Sequence, residues 1–129
     1  MATPRIMVID DEKIVVSMTK LHLVKEGFEV ETFLNAAPAL ERLKEQQFDV
    51  VVTDLKMKGI DGMEVLRTIK RLYPQTQVIM ITAFAHLNTS IEAFQGQVFD
   101  FFPKPFKISA FIASVNRALG RAPQQPAEA

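Results

Sequence analysis

The sequence predicts an α/β fold of the doubly wound (βα)5 kind, with a parallel five-stranded sheet covered by helices on both faces. Three observations predict it. Short, continuous apolar runs recur along the chain, as expected of strands buried on both faces. Segments with helical spacing separate these runs. The strand–helix alternation occurs five times, which favours right-handed βαβ units and a parallel sheet. The 129 residues suit one domain able to bury most of its apolar surface.

Ile6-Met7-Val8-Ile9 is the first apolar run. Residues 12–26 follow with helical spacing through Val15, Met18, Leu21 and Val24. Gly27 suits the helix C-terminus, because glycine accepts positive φ at no steric cost. Residues 28–33 read as the second strand. Asn35 is placed to cap a helix carrying Leu40 and Leu43, and Pro38 falls in its first turn, where a missing N–H costs nothing. Val50-Val51-Val52 is the third strand and runs into Thr53-Asp54. A loop with Gly59 and Gly62 precedes a helix over about 63–73, followed by Pro74. Val78-Ile79-Met80-Ile81 is the fourth strand and ends at Thr82. A helix over about 87–96 and a strand over 98–102 come next. The last helix lines up Ile108, Phe111, Ile112, Val115 and Leu119 on one face. Residues 1–119 are thus expected to form the domain. The Pro/Ala/Gln-rich stretch 120–129 reads as a disordered tail or linker, either a natural end or a tether to an output domain.

Composition narrows the function classes. The 48% hydrophobic and 23% charged residues are those of an ordinary soluble globular protein. Fifteen acidic and fifteen basic residues cancel, so no global field attracts nucleic acid or an anionic membrane. The absence of cysteine excludes disulfides and cysteine metal sites. No apolar run approaches the ~18 residues that span a bilayer. The first residues run straight into a strand without a signal-peptide core, so a cytoplasmic location is expected. His22 and His86 have no ligand-spaced partner and read as solvated side chains.

The polar residues of interest share one topological address. Asp10-Asp11 follow the first strand, Asp54 ends the third, Thr82 ends the fourth and Lys104 follows the fifth. In an open parallel sheet these positions lie at the carboxyl edge, where ligands bind. Three carboxylates converging there repel one another, and a hard divalent cation such as Mg²⁺ resolves the conflict. The plainer reading of Asp10-Asp11-Glu12 is that these acids favour the first helix's N-terminus. The matching strand-end residues weigh against that reading.

Taken in order, Val8-Ile9-Asp10-Asp11-Glu12, Val51-Val52-Thr53-Asp54-Leu55-Lys56-Met57, Asp61-Gly62, Ile81-Thr82-Ala83 and Lys104-Pro105-Phe106 resemble the receiver domain of two-component response regulators, the CheY-like superfamily. The resemblance covers about residues 5–119 and implies a flavodoxin-like sheet of strand order 2-1-3-4-5. It implies that Asp54 is the nucleophile that becomes an aspartyl phosphate, supplied by a phosphohistidine on a sensor histidine kinase or phosphotransfer protein. It implies Mg²⁺ held by Asp10, Asp11, Asp54 and the backbone carbonyl of Lys56. Thr82 and Lys104 would contact the phosphoryl oxygens, and Lys104-Pro105 would be a cis peptide that re-aims the lysine. Phe101 matches the family's switch aromatic. Its inward turn, coupled to Thr82, would alter the face built by the helix over 87–96, the fifth strand and the last helix. An output domain or a second copy of the chain would then read that face.

Phosphoryl transfer needs an in-line oxygen nucleophile and charge neutralisation, and these residue types supply both. Three positions depart from the family's habit: Lys58 where proline is common, Gln97 where glycine is common, and Pro103, which lacks a backbone donor. None removes a chemical side chain. Of the six phenylalanines in 94–111, most are expected to form an aromatic layer under the last helix, with Phe101 the exception. The alternative function is a receiver-like interaction module that ignores phosphorylation. An aspartyl-phosphate phosphatase is disfavoured, because Asp10-Asp11-Glu12 does not supply the D-x-D-x-T pattern such enzymes use.

Overall fold

A computed structural model describes residues 2–83 and 97–121. One five-stranded parallel sheet is built from β1 (Arg5–Ile9), β2 (Glu29–Phe33), β3 (Val50–Asp54), β4 (Gln77–Thr82) and β5 (Asp100–Pro103). Its order is β2-β1-β3-β4-β5, as expected. The described helices are α1 (Lys13–Lys25), α2 (Ala36–Glu45), α3 (Gly62–Leu72) and α4 (Ile108–Ala118). The helix expected over 87–96, together with His86 and Phe94, lies outside the described residues, as does 122–129 of the expected tail.

Successive residues of a strand point to opposite faces, so each apolar run feeds two cores. Ile6, Val8, Val50, Val52, Ile79 and Ile81 pack one core with α1 and α4. Met7, Ile9, Val51 and Val78 pack the other with α2 and α3. Every residue of β3 is buried, which is why this strand reads as unbroken Val-Val-Val. Each such aliphatic side chain contributes about 1.5–3 kcal/mol on leaving water. The last helix presents the expected face: Phe111 and Val115 are fully buried, with Ile108, Ile112 and Leu119 packed against the same core. Phe102, Phe106 and Phe111 form the aromatic layer, their ring centroids 5.5–6.0 Å apart.

The first helix differs from the spacing that marked it. Val15, Val16, Thr19 and Leu23 face the sheet, while Ile14, Met18, Leu21 and Val24 are exposed. The helix is apolar nearly all round, so periodicity left two stripes available. The buried one includes a threonine, whose hydroxyl is satisfied by donating to the Val15 carbonyl at 2.7 Å. Gly27 adopts φ +93° and donates to the Val24 carbonyl at 2.9 Å, closing the helix as expected. Asn35 does occupy the N-cap position of α2 but makes no side-chain cap bond. Asp61 does cap α3, accepting from the backbone of Met63 and Glu64.

The fifth strand begins at Asp100, two residues later than its apolar run suggests. Phe99 still donates to the Val78 carbonyl, at 2.7 Å. Further along, Lys104 N reaches the Thr82 carbonyl at 2.8 Å. Counted back from Lys104 within the strand, the donors of residues 101 and 103 face away from β4; Phe99, ahead of the strand, lies outside that alternation. Phe101 N is taken by Asp100 Oδ1 at 2.8 Å, and Pro103 has no N–H. Pro103 therefore removes no bond from the ladder.

Candidate functional site

The chain runs from β1 to β2 on one side of the sheet and from β3 to β5 on the other, so the direction of winding reverses between β1 and β3. Helices leave that point on opposite faces and open a crevice at the strands' carboxyl ends. Ile9 pairs with Thr53, and the next residue of each strand, Asp10 and Asp54, enters this crevice. Asp54 in turn pairs with Ile81, which places Thr82 one step further along the neighbouring strand.

Asp10 and Thr82 are fully buried, and Asp54 is 4% exposed. Asp11 is exposed. One carboxylate oxygen from each of Asp10, Asp11 and Asp54 lies within 4.8 Å of the others. Asp10 Oδ1 accepts the Glu12 N–H at 2.9 Å. Asp10 Oδ2 is buried and pairs with Lys104 Nζ at 2.8 Å. Three clustered carboxylates share a single ammonium, and such an excess of negative oxygen suits a hard divalent cation that takes oxygen ligands.

Lys104 is brought in from β5. Its peptide bond to Pro105 is cis, as expected, and its side chain is 11% exposed. The ammonium donates to Asp54 Oδ2 at 3.1 Å and to Glu12 Oε1 at 2.6 Å. Sequence reasoning missed that second contact, because Glu12 reads as one more acid at a helix start. It is the N-cap residue of α1 but makes no side-chain cap bond. The signal that points to it is the ammonium of Lys104, which needs three acceptors when buried.

Asp54 Oδ1 accepts from Lys56 N at 3.3 Å. Burial, reinforced by the Asp10 charge, pushes the Asp54 carboxyl up to about 6 against the opposing pull of Lys104. Burial also raises Asp10, although Lys104 and the Glu12 N–H oppose it. For Lys104 burial works downward, but its bonds to Asp10 and Glu12 prevail and hold the ammonium protonated.

Gly62 closes the floor of the site. A Cβ there would overlap the Asp54 carbonyl oxygen, and the Gly62 N–H donates to the Leu55 carbonyl at 2.9 Å. Only glycine lets α3 start this close to the acidic strand end. The structure thus brings Asp10, Asp11, Asp54 and Lys104 together and sets Thr82 and Lys56 beside them. Phe101 lies half-buried on β5, opposite Met80. His22 is elsewhere, half-buried on α1 with Nδ1 2.9 Å from the Met18 carbonyl.

Comparison with known proteins bears on this geometry. A family model described as the response regulator receiver domain matches residues 6–116. The DNA-binding transcriptional regulator NtrC of Escherichia coli (strain K12) is 35% identical over 120 residues, covering 93% of this chain. Those residues are 26% of NtrC, so the chain spans about a quarter of that relative's length. The chemotaxis protein CheY of Bacillus subtilis (strain 168) is 36% identical over 116 residues, covering 89% of this chain and 97% of CheY. Among solved structures, the response regulator protein TrrA of Thermotoga maritima, in complex with Mg²⁺-BeF, superposes with a TM-score of 0.81. It is 28% identical, with 91% of this chain and 100% of TrrA covered.

Proposed function

The chain belongs to the response regulator receiver domain family and serves phosphorelay signalling, and from that premise we propose how its own residues divide the work. Asp54 is the acceptor. One observation carries this reading: a nearly buried carboxylate at the end of β3 lies 3.1 Å from a lysine ammonium and within 4.8 Å of two further acids. A carboxylate oxygen of Asp54 attacks the phosphorus of a phosphohistidine on a sensor histidine kinase or phosphotransfer protein. The P–N bond breaks, and the imidazole keeps the electron pair. Water later attacks the same phosphorus, the acyl P–O bond breaks, and inorganic phosphate leaves. The domain assists both steps on itself and turns over no separate substrate.

Asp10, Asp11, Asp54 and the Lys56 carbonyl would hold Mg²⁺, which supplies positive charge against the phosphoryl oxygens when bound. Asp54 must be ionised to attack, and burial alone opposes that form. Lys104 counters burial from one side. Thr82, one residue beyond the neighbour of Asp54, donates its hydroxyl to a phosphoryl oxygen. Thr82 and Phe101 then act together as the switch, a population shift between two packings biased by the new charge. Phe101 sits on β5, so the change would appear on the face that β5 shares with α4.

Residues 1–119 form the receiver unit in this reading, in keeping with the family match over 6–116, and 120–129 serve as tail or linker. A cleft beside the site is lined by Met18, Lys104, Pro105 and Phe106 and adjoins the exposed apolar residues of α1. It offers the phosphodonor a landing surface. The output partner is a tethered domain or a second copy of the chain. No described helix is long and apolar enough to cross a membrane; the cytoplasmic location is inferred from the proposed kinase partner alone.

Intact-mass measurement tests the acceptor. After incubation with acetyl phosphate or phosphoramidate and Mg²⁺, the wild type gains the mass of one phosphoryl group and Asp54→Asn gains none. An unchanged wild type, or an equal gain on the variant, refutes the assignment.

A further inference from the structure

We propose that Glu12 is a positioning residue that holds Lys104 away from the phosphoryl group, so that release of the Glu12–Lys104 pair sets how tightly the domain grips phosphate. The inference rests on the reading of Lys104 as a phosphoryl ligand and goes one residue beyond it.

An ammonium has three N–H donors. Three carboxylates surround Lys104 Nζ: Glu12 at 2.6 Å, Asp10 at 2.8 Å and Asp54 at 3.1 Å. All three are charge-assisted contacts, and the one to Glu12 is the shortest. Glu12 is therefore the nearest of the three acceptors. It is also the acceptor best able to let go. Its side chain is 56% exposed, against 0% for Asp10 and 6% for Asp54, so water can solvate it after release. The helix makes no demand on it, since it forms no side-chain cap bond.

A phosphoryl group on Asp54 brings three oxygens to the ammonium. Asp10 and Asp54 are both candidate cation ligands and have another use for their oxygens. Glu12 lies outside that set. It remains as the competing acceptor, and its pair with Lys104 must open before the lysine can turn fully to phosphate. A partly exposed ion pair is weak, so its removal should tighten phosphoryl binding by only about two- to five-fold.

Two measurements test this on the full chain, with circular dichroism confirming that each variant folds. The first needs no metal. Brief acylation with an amine-reactive ester, read by peptide mass spectrometry, reports the freedom of Lys104, with Lys20 and Lys25 as exposed references. Glu12→Gln and Glu12→Asp should each raise Lys104 labelling several-fold at constant reference labelling. The second titrates beryllofluoride with Mg²⁺, in place of the phosphoryl group. Both variants should bind about two- to five-fold more tightly than the wild type. That gain should vanish when Lys104→Met is added to each.

Glu12→Asp separates the latch from a general field effect. The aspartate keeps the charge but falls a methylene short of Lys104. If it behaves like the wild type, or if Glu12→Gln still tightens binding in the Lys104→Met background, repulsion by the Glu12 charge accounts for the result and the latch is wrong. Unchanged labelling also overturns it. Failure of the underlying reading looks different: the wild type then binds no beryllofluoride, or binds it as well after Lys104→Met alone.

Discussion

Replacing Asp54 with asparagine should stabilise the metal-free domain at neutral pH, although it removes a hydrogen-bonded partner of Lys104. The buried carboxyl titrates near 6 rather than at its ordinary 3.8, chiefly through burial and secondarily through Asp10. The folded state thus holds this proton more tightly than the unfolded chain does. The resulting stability is fully present below pH 3.8 and is lost as pH rises through about 6. At 1.36 kcal/mol per pH unit, the ionised carboxylate leaves the wild type about 2–3 kcal/mol less stable at pH 7.5 than a neutral side chain would. For a domain of this length that is roughly 6–12 °C in melting temperature. Lys104 keeps Asp10 and Glu12 as partners in the variant, so no new unpaired charge is buried. The assay is thermal unfolding followed by circular dichroism in chelator from pH 4 to 8. Asp54→Asn should melt well above the wild type at pH 7.5, and the curves should converge toward pH 4. Saturating Mg²⁺ should narrow the gap, because it binds the folded wild type preferentially. A variant that melts at or below the wild type at pH 7.5, or a gap independent of pH, would refute the reasoning.

Gly62→Ala should lower stability by about 1–3 kcal/mol in urea unfolding, because its Cβ displaces the Asp54 carbonyl; an unchanged midpoint would show that α3 shifts freely. Phe111→Ala should cost about 3–5 kcal/mol by the same measure, since it empties the centre of the Phe102–Phe106–Phe111 layer. Asp11→Asn should weaken Mg²⁺ binding by calorimetry about ten-fold or more while moving the chelator-treated melting point little, because Asp11 is exposed; full-strength binding would remove Asp11 from the ligand set.

Much of the architecture is legible in the residues because parallel strands covered on both faces must be apolar throughout. Val50-Val51-Val52 and Val78-Ile79-Met80-Ile81 leave little room for another reading. The candidate site is legible for a related reason, since acids and a lysine at successive strand ends have one crevice to share. Features set by competition between equivalent choices were harder to read. Two apolar stripes on α1 satisfy helical spacing, and only the shape of the sheet beneath selects Val15-Val16-Thr19-Leu23. Asn35 and Asp61 both suit an N-cap, but only Asp61 turns its oxygen to the helix. The contact of Glu12 with Lys104 spans 92 residues and leaves no trace in local pattern. Glycine at 62 signals a turn in the sequence, whereas its close approach to Asp54 emerges only once α3 is in place.

The outer rim of β5 bears on how this domain behaves in crowded solution. An open sheet ends in strands whose outward amides invite another chain to pair, which is how soluble proteins seed aggregates. Here the two outward positions of β5 offer no free amide to such a guest: Phe101 N–H is already held by Asp100, and Pro103 has none. Asp100 is itself anchored by Ser114 at 2.7 Å and Arg117 at 3.2 Å, so its grip on that amide is braced from the last helix. An incoming strand would find carbonyls along this rim but no free amide at either position, which weakens it as a template for strand addition.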